Sequence, residues 1–121
     1  MATSVIAVST FPKSYRLRKR ADFLKLQHVK TSIAVKGFLV VWLPNQFGNS
    51  RLGVTASKKV GSAVIRNKIK RRVREVFRRH RLLIPAIDLN IIARRDSALM
   101  DFQSVELELE KAFRHIGANK C

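Results

Sequence analysis

The groups in this chain most able to do chemistry are cations, and they are concentrated. Between Lys58 and Arg81 stand eleven lysines and arginines against a single acid, Glu75. Within that run Arg66, Lys70, Arg74 and Arg78 recur every fourth residue, a spacing that stacks them along one side of a helix. Like charges so placed repel by about 0.2–0.5 kcal/mol per pair, which is why a solvated helix face normally mixes signs. A same-sign ladder is understood if a polyanion neutralises it. Arginine dominates its second half, and a guanidinium suits bidentate recognition of phosphate.

Other chemistries find little support. The three histidines, His28, His80 and His115, fall on three different segments, and no H-x-x-x-H or Cys/His spacing suggests zinc. Glu106, Glu108 and Glu110 alternate at i, i+2, which spreads them around a helix. Asp88 and Asp96 bracket an apolar run and read as caps or turn residues. No catalytic residue and no metal ligand is expected in the chain. Cys121 is the only cysteine, so no internal disulfide can form, and a reducing cytoplasm is the expected compartment.

The elements that must hold these cations follow from patterning. The chain has 121 residues with a formal net charge of +17 and 46% hydrophobic residues, enough for one domain with a core. Residues 1–12 read as a flexible tail, 13–117 as one α/β domain and 118–121 as a C-terminal tail. A basic run with Lys13, Arg16, Arg18, Lys19 and Arg20 precedes a short helix bearing Asp22, Phe23, Leu24, Leu26 and Val29. Lys36–Leu43 is β-branched and aromatic and reads as a strand ended by Pro44. Arg51–Ser57 reads as a second strand. Ser62 can cap a helix running to about His80, with Ile65, Ile69, Val73, Val76 and Phe77 on its buried side. Asp88–Arg94 makes a third strand, and Phe102, Val105, Leu109, Ala112, Phe113 and Ile116 mark a final amphipathic helix. The expected class is α+β, in the order αββαβα. No apolar run approaches the roughly 20 residues of a membrane span.

The stretch Arg51–Arg78, RLGVTASKKVGSAVIRNKIKRRVREVFR, resembles the signature of the bacterial ribonuclease P protein family. Ser57, Lys58, Lys59, Gly61, Ala63, Val64, Arg66, Asn67, Lys70, Arg71 and Arg74 fall in register with the pattern S-K-K-x-G-x-A-V-x-R-N-R-x-K-R-x-x-R. Weaker agreement covers RLRKRADF at 16–23, the strand with Phe38, and Ile91-Ile92-Ala93-Arg94. The resemblance implies a ribonucleoprotein endonuclease that removes the 5′ leader of precursor tRNA, with its catalytic centre in a magnesium-dependent RNA subunit. It implies a single α/β sandwich with a left-handed βαβ crossover, where patterning alone predicts a right-handed one. Its partners would be the catalytic RNA and precursor tRNA, with no membrane and no protein partner required.

Carried over residue by residue, the resemblance assigns Ser57, Lys58, Lys59, Arg66, Asn67, Lys68, Lys70, Arg71 and Arg74 to RNA binding. It assigns Phe23, Gln27, Phe38 and Val41 to a leader-binding cleft. Three positions depart from the family pattern. Lys68 stands where an arginine is usual, Gln27 where a second cleft aromatic often lies, and Val41 where a strand aromatic is expected. Trp42, one residue out of register, should face the opposite side of the sheet. Another basic RNA binder, such as a ribosomal protein or an RNA chaperone, fits the composition equally well. The ordered Arg51–Arg78 pattern separates the two readings.

Overall fold

The computed structural model describes residues 16–17, 20–27 and 31–118. The expected tail at 1–12, Lys13, Arg18, Lys19, His28, Val29 and Cys121 lie outside the described residues. The elements are α1 (Arg20–Gln27), β1 (Ser32–Val35), β2 (Phe38–Pro44), β3 (Arg51–Thr55), α2 (Ala63–His80), β4 (Ile87–Ala93) and α3 (Phe102–Ala118). Short 3-10 turns at Arg81–Leu83 and Arg95–Leu99 flank β4. The α+β class holds, but the order is αβββαβα. The added strand is β1, folded back on β2 through the two-residue turn Lys36-Gly37, with Val35 opposite Phe38. Gly37 adopts φ 84, and a Cβ there would meet the Met100 sulfur at 2.5 Å. The turn therefore demands glycine.

The strands form one sheet in the order β1-β2-β4-β3. β2 runs antiparallel to β1 and β4, while β3 runs parallel to β4. One face carries Phe38, Val40, Trp42, Leu52, Leu89 and Ile91 into the main core against α2 and α3. The other face carries Leu39, Val41, Leu43 and Ile92 into a smaller cluster with Leu17, Phe23 and Leu26 beneath α1. The sheet is thus the middle of three layers.

The crossover from β3 through α2 to β4 is left-handed, and the pairing fixes this. Asn45 N–H donates to the Ala86 carbonyl at 3.1 Å, and Arg94 N–H donates to the Gly37 carbonyl at 2.8 Å. By the antiparallel alternation, residues 88, 90 and 92 then turn their peptide groups to β2, and 87, 89 and 91 turn theirs to β3. Leu89 and Ile91 point their side chains at the two long helices. Viewed from those helices with β4 running upward, L-chirality directs the peptide groups of these residues to the right. β3 therefore lies to the right of β4, and α2, in front of the sheet, carries the chain leftward. About 98% of such crossovers run the other way.

α2 is anchored by Ile69, Val73, Val76 and Phe77, all buried, each contributing about 1.5–3 kcal/mol of transfer free energy. Ile65, expected among them, is 38% exposed at the helix start, where it packs on Gly61. Ser62 caps the helix, its hydroxyl accepting from Ile65 N–H at 3.4 Å.

Candidate nucleic-acid interface

Burying one stripe of α2 forces its remaining residues outward, and most of those are cationic. Ser57, Lys58, Lys59, Asn67, Lys68, Arg71 and Arg74 are exposed, and Arg66 and Lys70 are half-buried. All nine residues assigned to RNA binding thus lie on the loop after β3 or on the outer sides of α2. Arg66 is steadied by its Nε–H donating to the Gly61 carbonyl at 3.2 Å. Among the described residues, no carboxylate pairs with any cation of this set.

Arg72, Arg78, Arg79 and His80 are different. Arg78 and Arg79 both bind Glu75, and Arg79 also reaches Glu106 on α3 at 3.5 Å. His80 meets the same Glu106 oxygen at 3.0 Å. Arg72 donates to the Met100 carbonyl at 2.6 Å. The four-residue ladder read from the sequence therefore breaks. Arg78 is a structural contact, and Arg66, Lys70 and Arg74 remain outward-facing cations. Arg74 stands near Arg16, on the segment that pairs with β3 at Leu52. Partial desolvation, and secondarily the Arg16 charge, hold the Arg74 pKa below the usual arginine value.

On the opposite face of the sheet α1 packs over the second, smaller apolar cluster, where the family resemblance places the leader-binding cleft. The Phe23 ring lies on Gly53 of β3, close enough that a Cβ at 53 would fall 2.5 Å from its Cε1 and 3.2 Å from Leu17 Cδ1. Leu26 of α1 and Val41 and Ile92 of the sheet complete the cluster. Phe23 stays partly open to solvent and Leu24 is 39% exposed. Val41 lies on the sheet face beneath α1 and is buried. Gln27 ends α1. Phe38 has to be removed from the cleft. It pairs with Ala93 and is fully buried among the residues under α2 and α3, because its parity along β2 is opposite to that of Val41. Trp42 shares that core side, edge-on to His115 with ring centroids 6.2 Å apart.

The sequence reading missed the polar clamp beneath α1. Asp88 is no cap: it sits within β4, buried, and receives Arg51 Nε and Nη2 at 2.8 and 2.6 Å. Asp22 of α1 lies 3.6 Å from the same guanidinium. Hydrogen bonding to Asp88 raises the Arg51 pKa above its ordinary value. The clamp ties α1 to the two parallel strands. An acid in register with a basic strand residue was its only sequence signal, and that register is set by tertiary pairing. Among the described residues no group of three or more histidine, cysteine, aspartate or glutamate side chains could hold a metal ion. No helix among them is long and apolar enough to cross a membrane.

A family model described as Ribonuclease P matches residues 11–117. The chain is 42% identical over 105 residues to the ribonuclease P protein component of Citrifermentans bemidjiense, covering 87% of this chain and 90% of that one. It is 44% identical over 108 residues to that of Desulforapulum autotrophicum, covering 88% and 92%. Among solved structures, the Staphylococcus aureus RNase P protein superposes with a TM-score of 0.78 at 38% identity, covering 85% of this chain and 95% of that one. The Thermotoga maritima RNase P protein superposes with a TM-score of 0.77 at 37% identity, covering 84% and 96%.

Proposed function

The chain belongs to the ribonuclease P protein family and is thus a protein subunit of that endoribonuclease, and we propose that it uses its two faces for two strands of RNA. The outward side of α2, with the loop at Ser57–Lys59, docks on the catalytic RNA. The cleft under α1 receives the 5′ leader of precursor tRNA. The observation that carries this reading is the division of the cations: Arg72, Arg78 and Arg79 are bound to Met100, Glu75 and Glu106, while Lys58, Lys59, Lys68, Lys70, Arg71 and Arg74 have no carboxylate partner among the described residues.

In physical terms the cations displace condensed counterions from phosphates, which supplies affinity without sequence preference. The Phe23 ring offers an unpaired leader base a stacking surface. Bond cleavage belongs to the RNA subunit, which also holds the magnesium ions, and the protein supplies binding and orientation. Neither a membrane nor a protein partner is needed, and the cytoplasm is the working compartment. The test is reconstitution with a bacterial ribonuclease P RNA and precursor tRNA at low magnesium. Stimulated 5′ cleavage is expected. No stimulation would refute the reading, and cleavage by the protein without RNA would overturn the division of labour.

A further inference from the structure

Phe47, in the loop between β2 and β3, is 62% exposed. Single apolar residues on a surface are ordinary, but this ring is held in place. Asn45 Oδ1 accepts the Phe47 N–H at 3.0 Å, and Asn45 Nδ2 donates to Asp88 Oδ1 at 2.8 Å and to the Asn49 carbonyl at 3.2 Å. The Arg51 guanidinium carbon lies 4.1 Å from the ring centroid, covering one face. That guanidinium is itself fixed by Asp88 and Asp22. With its charge balanced, it serves as a flat support for the ring and leaves phosphate binding to other residues.

Position gives the ring a use. Arg51 points to the cleft side of the sheet, as its pairing with Asp88 requires. Gly53, two residues further and about 6.6 Å along the strand, lies under Phe23. Phe47 therefore extends the line of Phe23 away from Lys58 and Arg66, which follow the other end of β3.

We propose that Phe47, backed by Arg51, is a second stacking platform for an unpaired nucleotide of the precursor leader, one step beyond Phe23. The proposal rests on the leader-cleft reading and adds a residue to it. Each base stacked on an aromatic ring is worth between about 5- and 150-fold in affinity.

The test uses the holoenzyme assembled from this chain and a bacterial ribonuclease P RNA. Dissociation constants are measured for precursor tRNA with its full leader and with the leader cut to its first few nucleotides. Phe47→Ala should lower the advantage of the full leader about five-fold or more, and Phe47→Trp should restore it. An unchanged ratio in Phe47→Ala overturns the proposal, as does a loss that Phe47→Trp cannot repair. Phe23→Ala is measured in parallel. If it too leaves the ratio unchanged, the cleft reading fails. If Phe23→Ala lowers the ratio and Phe47→Ala does not, Phe47 alone is discarded.

Discussion

Phe23 and Gly53 make one contact surface: the ring on α1 occupies the space that a side chain on β3 would fill, with Cε1 2.5 Å and Cζ 2.8 Å from the position of a Cβ. The glycine is needed for close approach, since its φ lies outside the left-handed region. Gly53→Ala must push Phe23 and α1 outward. Overpacking of this kind costs about 1–3 kcal/mol, readable as a lower urea midpoint. The same variant should lose discrimination between precursor and mature tRNA while keeping its affinity for the RNA subunit, because α2 lies on the other face of the sheet. Equal loss of both affinities would mean that the two faces are not independent.

Arg51 and Asp88 pair beneath α1, with both side chains largely buried. Asp88→Ala strands a guanidinium whose remaining ion pair is the longer one to Asp22. Removing one partner of a buried pair costs about 3 kcal/mol or more, and equilibrium unfolding should show it. Replacing both with apolar residues should recover part of that loss, since neither charge is then left buried alone. If the single and double variants are equally unstable, charge stranding is not the cause.

Periodicity made the two long helices legible in the sequence. Val73, Val76 and Phe77 had to share a side, so Lys68, Arg71 and Arg74 had to leave it. What stayed hidden depended on parity and register. Phe38 and Val41 are three apart in a strand and so lie on opposite faces, yet sequence resemblance placed both in one cleft. Asp88 looked like a strand terminus until pairing set it opposite Leu43 and beside Arg51. β1 is four residues long with alternate residues exposed, too short for alternation to stand out. The left-handed crossover has no local signature, because handedness depends on which side of β4 receives β3.

Phe38 and Phe23 should separate cleanly by substitution. Phe38→Ala opens a cavity in the main core and should cost about 3–5 kcal/mol of folding stability. Phe23→Ala removes a partly exposed ring and should weaken leader-containing substrate by about 1–3 kcal/mol with a smaller stability loss. Thermal unfolding and precursor tRNA affinity, measured on both variants, give a crossed pattern. Should Phe38→Ala prove stable but defective only for the leader, the assignment of faces would have to be reversed.

Glu75 gives the fold an acid-sensitive contact. The hydrogen bond from Arg78 holds its carboxyl below the usual value of 4.5, burial opposes this, and Arg79 adds to the lowering. A depressed folded-state pKa means that the folded form holds its proton less tightly than the unfolded chain. The contribution to stability is therefore present above pH 4.5 and disappears as pH falls through the folded value. In Glu75→Gln the stability should fall less between pH 5 and pH 3 than in the parent chain, a window set by ordinary carboxylate titration at about 4. Identical pH slopes for the two proteins would place the acid sensitivity elsewhere.

Arg74 and Arg78 sit four residues apart on one helix, yet only one is committed within the protein. Arg78 is bound to Glu75 through both carboxylate oxygens. Arg74 faces outward, and no carboxylate among the described residues pairs with it. If α2 docks on RNA through its uncommitted cations, Arg74→Ala should flatten the log–log salt dependence of binding by about 0.7–0.9 for each phosphate that is no longer neutralised. Arg78→Ala should change that slope by much less and lower folding stability instead, since it leaves Glu75 with Arg79 alone. The measurement is affinity for ribonuclease P RNA across a salt series, with both variants checked for folding. Equal slopes in the two variants would show that summed charge, rather than the arrangement on the helix, governs binding, and the division of the α2 cations into docking and structural groups would fall.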